Sequence, residues 1–394
     1  MRHYVSTVFL YLALLAGPIS ARPIVLLSVP DTLLPVERGL AVFAETNGPL
    51  AFSTVQSARF SVLSDGNIDF GHTDRGGWVR FSVSNRVAAR QPAWVLRVMG
   101  ISSTVCDLYV VEPDGRVWSQ LNGIRFPYNH RPFDALTFCF LLLLPDDRPR
   151  VCYLRLAGVN SQQYTLNFLS DRLANRYAHD FESLMCLYFG ALLAMFAYNL
   201  LLFVQVRDSG YLWYVLYLAA IAFMHLCVYG MGFKYLWFNN PVWAVQAQNV
   251  FTGLTISTAV AFAVHFLNIR QYLPRLMPVF CGFLAVGLLV SGLALIQNTA
   301  ILTVFVSVFA IPVILATWLA GIIIWRRGYR PALLYVLGWA ALFGTTAVFA
   351  LQNLGWIPVI PFANFLLPVG TATEMMLFSF GLGYRINLSR REKA

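Results

Sequence analysis

The sequence predicts a membrane α-helical bundle of seven transmembrane helices preceded by an all-β domain, a jelly-roll-like sandwich. Three observations carry that prediction. Apolar runs of about 20 residues, each long enough to cross a bilayer as a helix, recur from residue 183 to residue 385. Short alternating runs separated by turn residues fill the stretch before them. Lys and Arg then fall almost entirely on one side of the helical block, as they do in polytopic membrane proteins.

Composition excludes a single soluble domain: of 394 residues, 58% are hydrophobic and 12% charged, and the mean hydropathy is +0.63. A formal charge of +10 would suit a nucleic-acid partner if it were concentrated in the soluble part. From residue 22 to residue 180 there are sixteen Arg, no Lys and fourteen Asp plus Glu, a net of +2. The excess therefore lies in and after the membrane block and marks topology, with no nucleic-acid partner expected. The six cysteines are Cys106, Cys139, Cys152, Cys186, Cys227 and Cys281, with no CxxC pair and no metal-type His spacing, so neither a metal nor a cofactor is expected. Cys139 and Cys152, read as lying on neighbouring strands, are candidates for one disulfide; the alternative is buried free thiols.

Residues 1–21 join a basic start at Arg2 to an apolar core and end on Gly17-Pro18-Ile19-Ser20-Ala21, the marks of a secretory signal cleaved after Ala21. The alternative is an uncleaved anchor, for which the apolar core is short. Residues 22–180 then form the all-β domain. Phe81 and Val83 alternate with Arg80, Ser82 and Ser84, and Trp94, Leu96 and Val98 alternate with Ala93, Val95 and Arg97, the period of a half-buried strand. Further strands are expected over 106–111, 116–121, 136–144, 151–157 and 164–170, separated by Pro113-Asp114-Gly115, Asn122-Gly123 and residues 145–149. The stretch 22–76 is less periodic and supports only an edge strand near 58–63. Residues 172–180 are polar and read as a linker into the first membrane helix. The seven-helix domain occupies 181–385, with helices over 183–205, 211–230, 242–267, 277–296, 300–325, 332–352 and 362–384, and 386–394 form a short tail.

Orientation follows from the short connections. Those after the first, third and fifth helices, with the tail, carry Arg207, Arg270, Arg275, Arg326, Arg327, Arg330, Arg385, Arg390, Arg391 and Lys393; the other side carries only Lys234. Ten basic residues against one place the tail in the cytoplasm and the all-β domain outside. Residues 355–361 with Trp356, and 235–243 with Trp237 and Trp243, read as outer interfacial anchors.

At this level of detail the residues carry a resemblance. Tyr188-Phe189-Gly190-Ala191, Tyr198-Asn199-Leu200-Leu201, Arg207-Asp208 and Tyr211-Leu212-Trp213-Tyr214 open it. Gly230-Met231-Gly232-Phe233-Lys234-Tyr235, Phe266-Leu267-Asn268-Ile269-Arg270 and Glu374-Met375-Met376-Leu377 through Gly381-Leu382-Gly383-Tyr384-Arg385 follow in order. Together they resemble the bacterial seven-transmembrane receptors with diverse intracellular signalling modules. The preceding domain is similar to that family's extracellular sensory domain, a β-sandwich likened to carbohydrate-binding folds, at Trp78, Phe81, Asn85, Trp94, Leu96, Asp107-Leu108-Tyr109, Gly115, Gly123, Pro127, Arg131 and Tyr153-Leu154-Arg155. The resemblance implies a sensory receptor of the bacterial inner membrane, with its N-terminal domain in the periplasm and its C-terminus in the cytoplasm. The expected partners are a periplasmic small molecule or glycan, the lipid bilayer and a cytoplasmic signalling protein, with a second copy of the chain forming a homodimer. Family members usually continue into a coiled coil and an output module such as a histidine kinase or diguanylate cyclase, whereas this sequence runs to Ala394. No catalytic residue carries over and no enzymatic activity is assigned; a receptor with a separate partner and a piece of a longer chain both remain open. The competing class is a transporter or an accessory membrane subunit of an envelope enzyme. A transporter would be expected to show inverted repeats or paired broken helices, and no internal repeat is visible.

Candidate ligand-binding residues are the aromatics Trp78 and Trp118 for stacking, and Arg97, Asn122, Arg125 and Arg131 for hydroxyls or carboxylates. Trp94 alternates with the core set, so packing is its expected duty. The loop 121–134 is the favoured segment, since binding residues concentrate on loops held by a scaffold. In the membrane, Glu374 stands out, because a mid-bilayer acidic group costs at least about 2.5 kcal/mol. It is expected to face the bundle, protonated or paired, with Asn199, His225, His265, Gln246, Gln248, Asn249 and Asn353 as available partners. Glu374, Asn199 and His225 are the candidates for a polar switch between two states; the alternative is a static interhelical hydrogen bond. Gly338 with Gly344 and Gly381 with Gly383 offer small residues for close helix contact, without a GxxxG pair, and Pro312 is expected to bend the fifth helix.

Overall fold

The computed structural model describes residues 24–26, 33–36, 38–46, 48–64, 66–71, 73–100, 103–159, 162–353 and 365–393. The expected signal peptide at 1–21 and the apolar turn at 355–361 lie outside the described residues. The chain divides into two compact units, Met1–Ala178 and His179–Ala394.

The first unit is built from strands β1 (Ile24–Leu26), β2 (Leu34–Pro35), β3 (Ala41–Ala44), β4 (Ser61–Val62), β5 (Ile68–Asp69) and β6 (Gly77–Asn85). They are followed by β7 (Ala93–Met99), β8 (Val105–Val111), β9 (Val117–Gln120), β10 (Phe138–Leu143), β11 (Arg150–Ala157) and β12 (Gln163–Leu169). One sheet runs β4-β3-β6-β11-β8-β9 with β1 parallel beside β6; the other runs β10-β7-β12-β2 with β5 also on β12. Period-two alternation decides which side chains are enclosed. Val79, Phe81 and Val83 of β6, Leu108 and Val110 of β8, and Cys152, Leu154 and Leu156 of β11 point inward from the first sheet. Trp94, Leu96 and Val98 of β7, Phe138, Phe140 and Leu142 of β10, and Leu166 and Phe168 of β12 do so from the second. None of these is more than 1% exposed, and Phe81 meets Phe168 edge-on at 6.3 Å between ring centroids. Each such side chain contributes roughly 1.5–3 kcal/mol by leaving water. β2, β3 and β5, which fall in the stretch read as unperiodic, are two to four residues long and too short to display an alternation.

One pair of alternatives is decided here and one expectation is corrected. Cys139 lies on β10 and Cys152 on β11, which belong to different sheets, because residues 145–149 cross between sheets instead of closing a hairpin. Both are free thiols, as is Cys106, and burial pushes all three above the ordinary thiol range. Residues 172–180 are helical, not a linker: the first long helix starts at Asp171. The Ser170 hydroxyl accepts from the Leu173 N–H at 3.2 Å, and Asp171 places negative charge in the first turn. Leu173 and Ala174 pack on Val95, Cys139 and Leu169 of the second sheet, so the polar residues of this stretch form only the other faces of an amphipathic turn.

Seven long helices follow: α1 (Asp171–Val206), α2 (Ser209–Val228), α3 (Pro241–Phe266), α4 (Met277–Ile296), α5 (Ala300–Arg326), α6 (Ala332–Asn353) and α7 (Leu366–Lys393). Six are long and apolar enough to cross a membrane, and α6 contributes the shorter apolar stretch Ala332–Val348. The expected boundaries hold closely at α2 to α5, while α7 continues helically through the residues read as a tail. α5 runs through Pro312 as one helix.

Packing in the bundle uses a small-residue crossing that was not anticipated. Gly253 and Ser257 of α3 face Gly287 and Ser291 of α4, each pair four residues apart. A Cβ on Gly253 would stand 2.5 Å from the Gly287 carbonyl oxygen, so only glycine permits this approach. Across the contact the Ser257 hydroxyl donates to the Leu284 carbonyl at 3.1 Å and the Ser291 hydroxyl to the Val250 carbonyl at 2.9 Å. Of the glycines expected to allow close contact, Gly338 and Gly381 do so, since a Cβ there would stand 2.6 Å from the Phe378 ring and 2.8 Å from the Phe266 ring, whereas Gly344 and Gly383 have open space beside them. Near the outer helix ends, the Glu182 carboxylate takes Lys234 at 2.9 Å and the Tyr235 hydroxyl, and Trp237 meets Trp243 edge-on at 6.2 Å.

Candidate functional site

On the outer face of the first sheet, register places Trp78 of β6 opposite Arg155 of β11, and Arg155 opposite Asp107 of β8. Glu45, just after β3, is 3% exposed and closes one end of this file. Its carboxylate accepts the Trp78 indole N–H at 2.8 Å, Arg155 at 3.0 and 3.1 Å, and the Leu50 amide at 3.1 Å. The chain after Glu45 folds back as a short helical turn, Phe52–Val55, whose Phe52 stacks on Tyr109 at 4.7 Å and packs beside Trp78 at 6.2 Å. Trp78 is consequently 1% exposed, and its expected role as an exposed stacking surface is corrected: its ring belongs to a second apolar cluster with Val55 and Tyr153.

Asp107 closes the other end. Burial raises its carboxyl above the usual range, and two donors oppose that rise: Arg125 at 2.6 and 2.7 Å and the Asn122 amide at 3.1 Å. The turn that returns Arg125 to Asp107 requires Gly123, at φ +123° with the Thr104 carbonyl where a Cβ would stand. Arg125 also lies over the Phe126 ring at 4.7 Å, and Phe126 packs on His130 at 4.3 Å. Two buried donors beside this group, Arg125 Nε and Asn122 Nδ2, have no acceptor among the described residues.

In the second unit, Glu374 of α7 is fully buried. Its Oε1 accepts from the Tyr217 hydroxyl of α2 at 3.2 Å, and its Oε2 has no partner among the described residues. The Tyr214 hydroxyl donates to the Met375 carbonyl. Tyr188 of α1 and His225 Nδ1 of α2 are 2.6 Å apart, and the Ser379 hydroxyl of α7 donates to Asn199 of α1 at 3.1 Å. A chain of polar groups thus joins α1, α2 and α7 inside the bundle. At the basic end, Arg385 donates to the His265 carbonyl at 3.0 Å and stands 3.8 Å from Asp208, which itself caps α2 through Gly210.

Two family profiles match this chain: the one described as 7TM diverse intracellular signalling over residues 182–385, and the one described as 7TMR-DISM extracellular 2 over residues 37–170. The chain belongs to the 7TM diverse intracellular signalling family. It is a membrane sensory receptor whose extracellular sensory domain precedes its seven-helix domain. Curated proteins give no match.

Within this receptor, the sequence-predicted ligand residues are dispersed. Asn122 and Arg125 come together on Asp107. Arg131 turns away from them, donates to the Ala135 and Leu136 carbonyls at 2.9 and 3.0 Å, and lies between the Tyr128 and Phe138 rings; burial lowers its pKa. Trp118 sits at the opposite end of β8, where its indole N–H and Arg150 share the Glu112 carboxylate. Arg97 lies on the outer face of the second sheet beside Cys139 and under Tyr177 at 5.3 Å, and burial lowers its pKa too. Glu45 was not singled out, and Asp107 and Arg155 were named only as positions of the resemblance, not as ligand residues; the available signal was a charge at an outward position of β8 and of β11. In the membrane, Tyr217 replaces the partners expected for Glu374. Asn199 and His225 are engaged elsewhere, His265 bonds the Ala261 carbonyl, and Asn249 bonds Asn298 and Thr303. The overlooked signal is Tyr211, Tyr214 and Tyr217, three residues apart on one face of α2.

Proposed function

We propose that this receptor resides in the bacterial inner membrane with its sandwich in the periplasm and its C-terminus in the cytoplasm. The edge formed by residues 122–131 binds a small ligand rich in oxygen acceptors, a sugar or a small carboxylate. Binding shifts the seven-helix bundle toward a state read by a cytoplasmic signalling partner. The observation that carries the ligand class is the pair of buried donors, Arg125 Nε and Asn122 Nδ2, beside the Phe126 ring. Buried donors favour an acceptor strongly, and an aromatic face beside them suits a sugar ring. The ten-to-one distribution of basic residues supports the orientation. Since a ligand moves an equilibrium only by its differential affinity for the two states, the ligand must bind one bundle state better than the other. Glu374, with one carboxylate oxygen unpartnered among the described residues, is the group whose pairing distinguishes those states, together with Asn199 and His225.

The test uses the full chain in lipid nanodiscs, screened for melting shifts with sugars and small carboxylates. A ligand at a hundred times its Kd stabilises by about 2.7 kcal/mol, a readily measured rise. R125A and N122A are expected to abolish that rise, and ligand is expected to change labelling of a cysteine placed in the C-terminal residues. A ligand that stabilises R125A and wild type equally would overturn the site, and unchanged tail labelling would overturn the transmission.

A further inference from the structure

The basic side of the bundle contains an open cleft of about 420 Å³ lined by Trp325, Arg330, Leu333, Leu334 and Tyr384. These residues come from three helices and one connection. Trp325 is in the last turn of α5, Arg330 is in the connection that follows, Leu333 and Leu334 open α6, and Tyr384 lies beside Arg385 at the basic end of α7. The chain therefore brings them to one level of the bilayer, the level at which Trp and Tyr sit among lipid headgroups. Trp325 and Tyr384 are 41% and 39% exposed, so both rings are available at the cleft.

Charge in this region is one-sided. The α5–α6 connection carries Arg326, Arg327 and Arg330, and no acidic side chain among the described residues lines the cleft. Arg327 donates to the Tyr272 carbonyl, whereas the Arg330 guanidinium has no hydrogen bond or ion pair among the described residues. One cation and a phenol beside an indole, two leucines and a lipid-level opening form a complement to a phosphate attached to an acyl chain.

We propose that this cleft holds one anionic phospholipid, with its phosphate on Arg330 and the start of its chain on Leu333 and Leu334. This is independent of what the sandwich binds. A dissolved phosphate would use the cation alone, so the apolar wall distinguishes the two sources of the same headgroup chemistry.

The experiment is native mass spectrometry of the full chain in detergent, incubated with phosphatidylglycerol or phosphatidylcholine. Phosphatidylglycerol is expected to be retained about fivefold more, roughly the factor one juxtamembrane basic side chain contributes. R330Q and the cleft-filling L333W lose that preference, and R330K restores most of it. R326Q, on the same connection but outside the cleft, keeps it. Excess glycerol 3-phosphate leaves the adduct in place because it lacks the acyl chain. The proposal is overturned if R330Q keeps the full preference, if R326Q abolishes it as completely as R330Q, or if glycerol 3-phosphate displaces the lipid.

Discussion

Replacing Glu45 by Ala removes the one acceptor shared by Arg155, the Trp78 indole and the Leu50 amide. The Glu45 side chain is 2% exposed and that of Arg155 17%, so the guanidinium cannot simply turn to water. Breaking a buried pair from one side costs about 3–5 kcal/mol, because the remaining charge stays buried. Each of the two neutral donors left without an acceptor adds about 1–3 kcal/mol in isolation. All three share one pocket and relax together, so the costs do not sum, and about 4 kcal/mol is expected for the sandwich. Glu45→Gln retains an oxygen for Trp78 and is expected to cost about half as much. The assay is pulse proteolysis of the full chain in detergent across a urea series, scoring cleavage within the sandwich. The double variant E45A/R155A should cost less than the sum of the single ones by about 0.5–3 kcal/mol. A loss below about 1 kcal/mol for E45A would refute the reasoning, since it would mean that the Arg155 charge finds solvent or another partner at no cost.

Further outcomes follow from the same structure. Because burial raises the thiols of Cys106, Cys139 and Cys152, iodoacetamide at neutral pH should leave all three unmodified in the folded sandwich and alkylate all three in urea without reductant; a protected Cys139–Cys152 pair in urea would restore the disulfide reading. Gly287→Leu should lower the melting temperature of the bundle, costing about 1–3 kcal/mol by overpacking against Ser257 and Gly253, whereas Gly282→Leu on the same helix has open space and should be nearly neutral. The Asp107 pKa is raised by burial, so the folded state holds its proton more tightly than the unfolded chain. Its contribution to stability is accordingly greatest below the ordinary Asp pKa and declines as pH climbs from about 4 through the raised value, a segment that D107N should remove from the stability–pH curve.

Much of the architecture was legible because solvent writes it into the sequence. Bilayer thickness requires long apolar runs, and α2 to α5 end close to where those runs end. A sandwich interior requires alternation, and β6, β7 and β8 show it. What escaped was whatever depends on a partner distant in sequence. Ser257 and Ser291 look like ordinary polar residues until α3 and α4 are seen to cross at Gly253 and Gly287. Leu173 looks like part of a polar linker until the second sheet is placed beneath it. Trp78 looks available for stacking until Phe52 and Glu45 return over it from more than twenty residues upstream. Asn122 and Arg125 could be picked out together because the Asn-Gly turn and a nearby arginine sit in one short segment, but their anchor, Asp107, belongs to β8, with β9 between them in the chain.

Under the proposed function, Glu374 is where the energetics of the bundle bear most directly on signalling. One of its oxygens accepts from Tyr217, and the other is buried without a partner among the described residues. Satisfying that oxygen is worth about 1–3 kcal/mol. A bundle state that offers it a donor would therefore be favoured by a factor of roughly 5 to 150, the scale of a typical coupling between sites. A static hydrogen bond and a switch differ in what removing the carboxylate does. Glu374→Leu relieves the unsatisfied group in either case, so higher stability alone decides nothing. If the pairing of Glu374 distinguishes two states, E374L should abolish the ligand-dependent change in tail labelling while the melting shift on ligand binding persists, because Arg125 and Asn122 are untouched. A wild-type labelling response in E374L would leave Glu374 as a static bond and would direct attention to Tyr188 with His225 instead.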